Sequence, residues 1–328
     1  MRRTIGLILG LALGTAACGD QTTETTSATA TTPAQTTSTT APPGTSQAGS
    51  VTFVGADGVE SAITDTSRIV SLNGDLTEII FELGLGDHVM AVDVTTTYPP
   101  EAAGLPRVGF GQLLAAEPVL AFQPTLVIGD TQIQPPEAVQ QLRDAGVPVV
   151  ILETQTTLEG VETKITQIAE MLGVAEAGRQ LADRVNTEIE AARELAATAA
   201  EQPEVAFVYV RGPQLVLLFG QGMPTSSMIE AANAVDVGAA SGVRGAVPMT
   251  PEALVAANPS VIVVPESGLA ALGGTDAFLK IPGVAETAAG RAKAILAYEE
   301  GYFLGFGPRV GSALAEFAKD LHPELAGY

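Results

Sequence analysis

Two segments of this sequence echo each other closely enough to indicate a repeated unit. In residues 116–128 and 251–263, a glutamate, Glu117 or Glu252, opens a short predicted helix. A proline follows seven residues after each glutamate, and an apolar run typical of a buried strand begins just behind it. A unit that occurs twice predicts two similar lobes, and a cleft between two lobes can clamp a ligand.

The echoing segments lie inside a longer alternation of predicted strands and helices. Apolar runs bounded by turn residues predict strands, and apolar positions at helical spacing predict helices. The predicted strands cover residues 68–72, 88–94, 125–129, 147–152, 205–210, 215–219 and 261–265, and the predicted helices cover residues 75–83, 136–144, 226–232 and 311–320. Such an alternation predicts an α/β fold with two Rossmann-like lobes, each built on a parallel sheet that helices cover.

A different pattern separates the two halves. Residues 158–200 keep a helical period of apolar positions almost throughout, with Gly173 and Gly178 as the expected interruption. This pattern predicts one long helix that joins the lobes. The expected parts are an N-terminal lobe over residues 51–157, a linking helix over residues 158–202 and a C-terminal lobe over residues 203–328.

The start of the chain has the layout of a secretory signal. Arg2 and Arg3 precede an apolar run at residues 5–13, which is too short to span a bilayer, and small residues then lead to Cys18. Cys18 resembles the lipid-modified cysteine of bacterial lipoproteins. We therefore predict a signal peptide over residues 1–17 and an extracytoplasmic protein held to the membrane through a lipid on Cys18. An ordinary cleaved signal followed by an unmodified cysteine is the alternative.

The segment after Cys18 is predicted to be a tether. Residues 18–50 are rich in Ser, Thr and Pro and carry almost no large apolar side chain, so they cannot bury enough surface to fold. Removal of residues 1–17 would leave 14 basic and 37 acidic residues, a formal net charge of −23. Such a charge argues against nucleic acid or an anionic lipid surface as a partner. With Cys18 as its single cysteine, the chain can form no internal disulfide.

The sequence contains no recognisable catalytic motif. A Gly-x-Ser-x-Gly elbow, a phosphate-binding loop and a His-Glu-x-x-His pair are all missing, and Gly220-Gln-Gly222 lacks the third glycine of a dinucleotide loop. Of the two histidines, His88 opens an apolar strand, and His322 is expected to be solvated. These observations predict a protein that is not an enzyme and that has no cofactor or metal centre of its own.

Two stretches offer ligand-binding side chains instead. Period-two spacing places Tyr209 and Arg211 on one face of a predicted strand end. A phenolate can bind ferric iron and a guanidinium can bind an anionic arm, although a core tyrosine beside a surface arginine would give the same spacing. The glycine-rich aromatic loop over residues 301–309, which contains Tyr302, suits either a cleft wall or ordinary loop packing.

Taken together, these motifs resemble a known family. The similarity extends over residues 68–319 and is carried by segments whose order and spacing match, at residues 71–84, 97–100, 105–109, 117–128, 209–212 and 304–309. The chain is similar to the class III solute-binding proteins of ABC importers that carry iron complexes and vitamin B12, and within them to the haem-binding (hemin-binding) branch. The resemblance implies two lobes joined by a long helix, a shallow cleft between them and little closure on the ligand.

The resemblance also implies roles for individual residues. Glu117 and Glu252 would dock onto the permease dimer, which works with an ATPase. Tyr209 would bind haem iron and Arg211 would support it. The family's first lobe supplies a histidine or tyrosine shortly after a Val-Gly pair, whereas this chain has Phe110 there, which can only stack on a macrocycle.

These roles favour an importer receptor whose transported ligand is haem. Tyr302 would form a second aromatic wall beside Phe110. A ferric siderophore or cobalamin is the alternative ligand within the same type of importer. A surface enzyme is the alternative from another class.

Overall fold

The structure of this chain, a computed structural model, describes residues 50–327. The predicted signal peptide, Cys18 and all but the last residue of the predicted tether therefore lie outside the described residues. Among the helices of residues 50–327, none is long and apolar enough to cross a membrane.

The first half of the described chain is built on a four-stranded parallel sheet. A hairpin of β1 (Val51–Val54) and β2 (Glu60–Ile63) precedes it. The sheet strands are β3 (Ile69–Ser71), β4 (Val89–Val92), β5 (Leu126–Asp130) and β6 (Val149–Leu152), in the spatial order β4-β3-β5-β6. The helices are α1 (Gly74–Glu82), α2 (Pro100–Ala103), α3 (Ala116–Leu120) and α4 (Pro136–Asp144). All three strand pairings are parallel, which confirms the predicted α/β alternation for the N-terminal lobe.

The predicted linking segment forms two helices, α5 (Gly160–Met171) and α6 (Ala175–Ala197). Gly173 ends the first helix in a left-handed conformation, with φ at 75°, which a residue with a Cβ adopts only under strain. Gly178 is buried inside α6, where a Cβ would lie 2.2 Å from the Cβ of Ala169 on α5. The predicted interruption thus lies at Gly173 and divides the linking segment into two helices, whereas Gly178 lies within α6 and serves close helix packing. The 23 residues of α6 make it about 35 Å long.

The second half forms a mixed sheet. Its strands are β7 (Glu204–Val210), β8 (Val216–Phe219), β9 (Val235–Asp236), β10 (Ala246–Pro248), β11 (Val261–Pro265) and β12 (Ile295–Tyr298). The order is β10-β8-β7-β11-β12, with β9 also paired to β7. β11 runs parallel to β7 and β12, as predicted, but β8 is antiparallel to both β7 and β10. The short hairpin after β7 causes this difference, because a loop of five residues cannot return a strand in parallel.

Eight helices accompany this second sheet in the described residues. They are α7 (Pro224–Ala231), α8 (Val237–Ala240), α9 (Pro251–Ala257), α10 (Glu266–Leu272), α11 (Thr275–Phe278), α12 (Ala288–Ala292), α13 (Glu300–Leu304) and α14 (Val310–Leu321). His322 follows α14 and is 2% exposed, with its Nε2 2.9 Å from the carbonyl of Ala232. The expectation that His322 is solvated was wrong, because α14 packs its end into the lobe.

The echoing segments have equivalent structures. Each consists of a short helix, α3 or α9, followed by the central strand β5 or β11. Gln123 and Asn258, the residues before the two prolines, both take a left-handed conformation, with φ at 48° and 43°. The repeat therefore extends to the turn between helix and strand.

One hydrophobic core runs through both halves. Alternate residues of the central strands, such as Leu126 and Ile128 on β5 and Val205 and Phe207 on β7, contribute to it together with α5, α6 and α14. The opposite faces of the two sheets have separate cores of their own. Both sheets are therefore covered on both faces, and the halves are joined through a shared core.

Candidate functional site

A loop over residues 109–114 covers the carboxyl edge of the first sheet. After β4, the Val94 amide donates to the Gly109 carbonyl over 2.9 Å. After β5, the Gln134 amide donates to the Gly111 carbonyl over 3.0 Å. Gly111 also lies close to the end of β3, since a Cβ on Gly111 would be 3.1 Å from the carbonyl oxygen of Leu72. Ligands of open α/β sheets bind at this edge.

Phe110 and Arg211 meet across the two lobes. Phe110 is half-buried on the covering loop, and Arg211 is exposed directly after β7. The guanidinium carbon of Arg211 lies 5.8 Å from the centre of the Phe110 ring, which is within cation–π distance. Within residues 50–327, the Arg211 guanidinium makes neither an ion pair nor a hydrogen bond, so it remains able to bind an anion.

Tyr209 lies two residues before Arg211 on the same strand. Its half-buried ring stacks on Phe219 of β8, with centroids 5.6 Å apart and ring planes 9° apart. Its hydroxyl has no hydrogen-bond partner among the described residues. The strand end therefore presents a phenol and a guanidinium, and both are free of protein partners in the part of the chain described.

Tyr302 lies beside a different cation. Its ring centre is 5.1 Å from the guanidinium carbon of Arg309, and its hydroxyl donates to Glu316 over 3.1 Å. Burial and the Glu316 carboxylate raise the pKa of the Tyr302 phenol to about 12. Both effects disfavour a phenolate at Tyr302.

Arg309 ties the two lobes together. Its guanidinium makes two hydrogen bonds to Glu78 of α1, at 3.0 and 2.9 Å, and lies 3.8 Å from the ring centre of Tyr98. Glu78 is 3% exposed, and burial raises the pKa of its carboxyl while Arg309 opposes that rise. The Arg309 side chain thus lies between two tyrosine rings, Tyr98 from the N-terminal lobe and Tyr302 from the C-terminal lobe.

A second buried ion pair reinforces this contact. Lys164 of α5 pairs with Asp75 of α1 and also donates to the Gly305 carbonyl over 3.0 Å. Thr97 donates to Glu299 over 3.0 Å and adds a third link between the lobes. The two lobes are therefore held together by charged contacts as well as by the shared core.

A buried carboxylate lies beneath the loop that follows β4. Asp93 is 2% exposed and accepts hydrogen bonds from the Thr95 hydroxyl at 2.7 Å and the Thr96 hydroxyl at 3.3 Å. Burial raises the pKa of Asp93 to about 6, against the effect of these hydrogen bonds.

Other parts of the surface suit a ligand less well. A hollow of about 600 Å³ lies at the junction of α6 and α7, but its cation, Arg193, is held by Glu159 and Glu190. Within residues 50–327, no group of three or more His, Cys, Asp or Glu side chains is placed to hold a metal ion.

The fold and these features agree with what is known of similar proteins. A family model described as periplasmic binding protein matches residues 69–301. The chain belongs to the periplasmic binding protein family. Members of this family bind solutes outside the cytoplasm, and those of ABC importers work with a permease and its ATPase.

Two solved structures illustrate the similarity. The periplasmic haem-binding protein RhuT from Roseiflexus sp. RS-1, in apo form, is 43% identical, with a TM-score of 0.77 over 80% of this chain and 100% of that one. The haem-binding protein HmuT is 33% identical, with a TM-score of 0.81 over 85% of this chain and 92% of that one. HmuT has also been solved as three alanine variants, of a histidine, a tyrosine and an arginine, and the last two stand two positions apart.

Curated relatives carry other names. An uncharacterised ABC transporter substrate-binding lipoprotein, YvrC of Bacillus subtilis (strain 168), is 28% identical over 263 residues, which is 79% of this chain and 81% of that protein. The vitamin B12-binding protein of Vibrio campbellii (strain ATCC BAA-1116) is 35% identical over 127 residues, which is 39% of this chain and 46% of that protein.

Glu117 and Glu252 occupy matching positions in the two lobes of this periplasmic binding protein. Each is exposed in the first turn of its helix, α3 or α9, and neither carboxylate has an ion-pair partner among residues 50–327. They are thus available to an external cation.

Sequence reasoning did not single out Tyr98, Glu78 or Arg309, which form a contact between the two lobes. Glu78 gave a signal that could have been used, because it is a charged residue among the apolar positions of a predicted helix. Tyr98 follows the end of a parallel strand, where ligand-binding residues concentrate. Their meeting with Arg309 depends on the tertiary fold, which no local pattern contains.

Proposed function

We propose that this chain is the substrate-binding receptor of an ABC importer and that it captures haem in the cleft between its lobes. The observation that carries the proposal is the pair of free polar groups at the end of β7. Tyr209 offers an oxygen and Arg211 a cation, and Phe110 faces Arg211 from the other lobe at 5.8 Å. Haem has an iron, which suits the oxygen of Tyr209, and two carboxylates, which suit the cation of Arg211. Its flat apolar ring suits the ring of Phe110.

The proposed contacts follow from ordinary coordination and charge chemistry. Ferric haem accepts a tyrosine phenolate as an axial ligand. The guanidinium of Arg211 can bind a propionate in a bidentate manner. Phe110 occupies the place where the haem-binding branch has a histidine or tyrosine, so it stacks on the ring and leaves the iron five-coordinate.

The similar proteins support this ligand. RhuT and HmuT are named haem-binding proteins, and the HmuT variants change a tyrosine and an arginine with the spacing of Tyr209 and Arg211. Delivery would follow when Glu117 and Glu252 dock onto the permease dimer. A lipid on Cys18 would keep the receptor at the membrane, as the lipoprotein name of YvrC supports.

The test is a titration of the purified soluble part, residues 50–328, with haem, followed in the Soret region. We expect saturable binding with the charge-transfer band of a ferric phenolate. Tyr209→Phe keeps the ring stack on Phe219 and should abolish this band. Arg211→Gln should weaken binding by about tenfold, the effect of one charged hydrogen bond.

Two matched variants control the test. Tyr98→Phe removes another half-buried tyrosine hydroxyl that has no hydrogen-bond partner among the described residues, and Arg244→Gln removes another exposed arginine. Both should bind haem as the unaltered protein does. If Tyr98→Phe lost the phenolate band and Tyr209→Phe kept it, the iron ligand would lie on the N-terminal lobe and our assignment to Tyr209 would be wrong.

Cobalamin is the second candidate ligand, because a vitamin B12-binding protein matches 39% of the chain. A parallel titration with cyanocobalamin separates the two. Binding of cobalamin without binding of haem would keep the importer role and replace the ligand.

A further inference from the structure

Exposed aliphatic side chains gather beside the proposed haem site. Seven large aliphatic residues are exposed in the described part of the chain. Of three of them, Val94 lies on the segment after β4, Leu113 on the loop that carries Phe110, and Leu215 in the turn that begins with Arg211. The other four, Val54, Val59, Val235 and Val255, lie on β1, the turn after it, β9 and α9.

Backbone hydrogen bonds fix these three residues close to the site. Leu113 is 79% exposed, the most of the seven, and its amide donates to the Phe110 carbonyl over 2.8 Å. Val94 is 49% exposed, and its amide donates to the carbonyl of Gly109, next to Phe110. Leu215 is 40% exposed, and its carbonyl accepts from the Arg211 amide over 2.9 Å.

The position of these residues has an energetic meaning. An aliphatic side chain in water contributes nothing to folding but contributes about 25 cal/mol for each Å² that a ligand later covers. Val94 and Leu113 belong to the N-terminal lobe and Leu215 to the C-terminal lobe, and the contact of Phe110 with Arg211 joins the two lobes here. An occupant that covers all three must therefore touch both lobes, have a broad apolar surface and carry an anionic group.

We infer that Val94, Leu113 and Leu215 form an apolar collar that grips the edge of a tetrapyrrole ring. This inference rests on the proposed haem-binding function and extends it to residues that select the ligand. The collar recognises the hydrocarbon ring, whereas Tyr209 recognises the iron and Arg211 a carboxylate. A ring without iron should therefore still bind, and a polar ferric siderophore should bind poorly.

Two ligands and matched variants test the collar. The soluble part is titrated with haem and with metal-free protoporphyrin IX, which keeps the ring and its carboxylates but offers no iron. Leu113→Asn and Leu215→Asn should each weaken binding of both ligands by about tenfold, the loss expected when one leucine is no longer covered. Val54→Asn changes an equally accessible side chain on β1 and should leave both affinities unchanged.

The outcomes separate the collar from the haem proposal. Tyr209→Phe should lose the iron signal yet keep protoporphyrin affinity, which the collar supplies. If the leucine variants bind both rings as tightly as the unaltered protein, the collar is refuted and haem binding stands. If the unaltered protein binds neither ring, both proposals fall. Urea midpoints within error of the unaltered protein establish that the leucine variants fold.

Discussion

Arg211 differs from most arginines of this acidic protein. Arg143, Arg184 and Arg309 are held by carboxylates, and Arg68 and Arg107 by backbone carbonyls. Arg211 instead has the ring of Phe110 near it. Because Arg211 also lies beside Tyr209 at the end of β7, its free guanidinium supports an anionic group on the proposed ligand.

The buried carboxyl of Asp93 should make the stability of the protein depend on pH. Its pKa is raised from 3.8 to about 6 by burial, so the folded protein holds a proton that the unfolded chain has already lost between these values. The stabilising contribution is therefore complete below pH 3.8 and is lost as the pH rises through 6. Relative to Asp93→Asn, the free energy of unfolding should fall by about 2 kcal/mol between pH 4 and pH 7.

Urea unfolding of both proteins across this range measures the effect. Other carboxyl groups titrate alike in the two proteins. The difference between the two free energies of unfolding therefore reports on Asp93. A difference that stays constant from pH 4 to pH 7 would show that Asp93 is ionised throughout.

At the scale of elements, local patterns predicted most of the regular structure. The bounds of α4 and β11 match the predicted ones, because Pro136 and Pro265 mark them and apolar spacing fills them. The helix breaks at Gly173, as expected. Gly178 was also expected to interrupt the helix, but it packs closely against the neighbouring helix, a contact that the sequence of a single helix does not reveal. The covering loop over residues 109–114 also escaped prediction, because the strand ends that it crosses are brought together only by the sheet.

The segment after α13 and helix α1 form the contact that we expect to matter most for stability. Arg309→Gln leaves the buried carboxyl of Glu78 without its cation. The free energy of unfolding should fall by about 3 kcal/mol at pH 7, as for other broken buried pairs. The loss should become smaller as the pH falls, because burial raises the pKa of Glu78 and so favours its neutral form.

A double-variant cycle provides the control. Glu78→Gln combined with Arg309→Gln removes both charges and should cost less than the sum of the single changes. Additive losses would mean that the two residues stabilise the protein independently.

At the scale of the molecule, the repeat predicted two lobes, and the structure places α3 with β5 and α9 with β11 in equivalent positions. The antiparallel pairing of β8 with β7 could have been predicted, because the predicted strands at residues 205–210 and 215–219 are too close in the chain for a parallel connection. By contrast, the contact of Phe110 with Arg211 was beyond local patterns, although both residues had been proposed for the site.

The matching positions of Glu117 and Glu252 lead to a prediction for transport. Charge reversal of both, to Arg, should abolish haem uptake by cells or proteoliposomes that contain the importer, because permease arginines would repel the receptor. Haem affinity of the purified variant should stay unchanged. Glu137→Arg alters another exposed first-turn glutamate, on α4, and should leave uptake intact. Normal uptake by the double variant would place docking elsewhere.

The shared core and the ion pair of Glu78 with Arg309 bear on how loaded and empty receptors would compete for the permease. We expect lobes joined in this way to change their relative position little, so that a loaded receptor and an empty one would present nearly the same face to a permease. Under the proposed role, empty receptors would compete with loaded ones for the same docking places. Import would then slow when receptor is in excess of haem, and the ratio of receptor to permease would set the rate of iron acquisition.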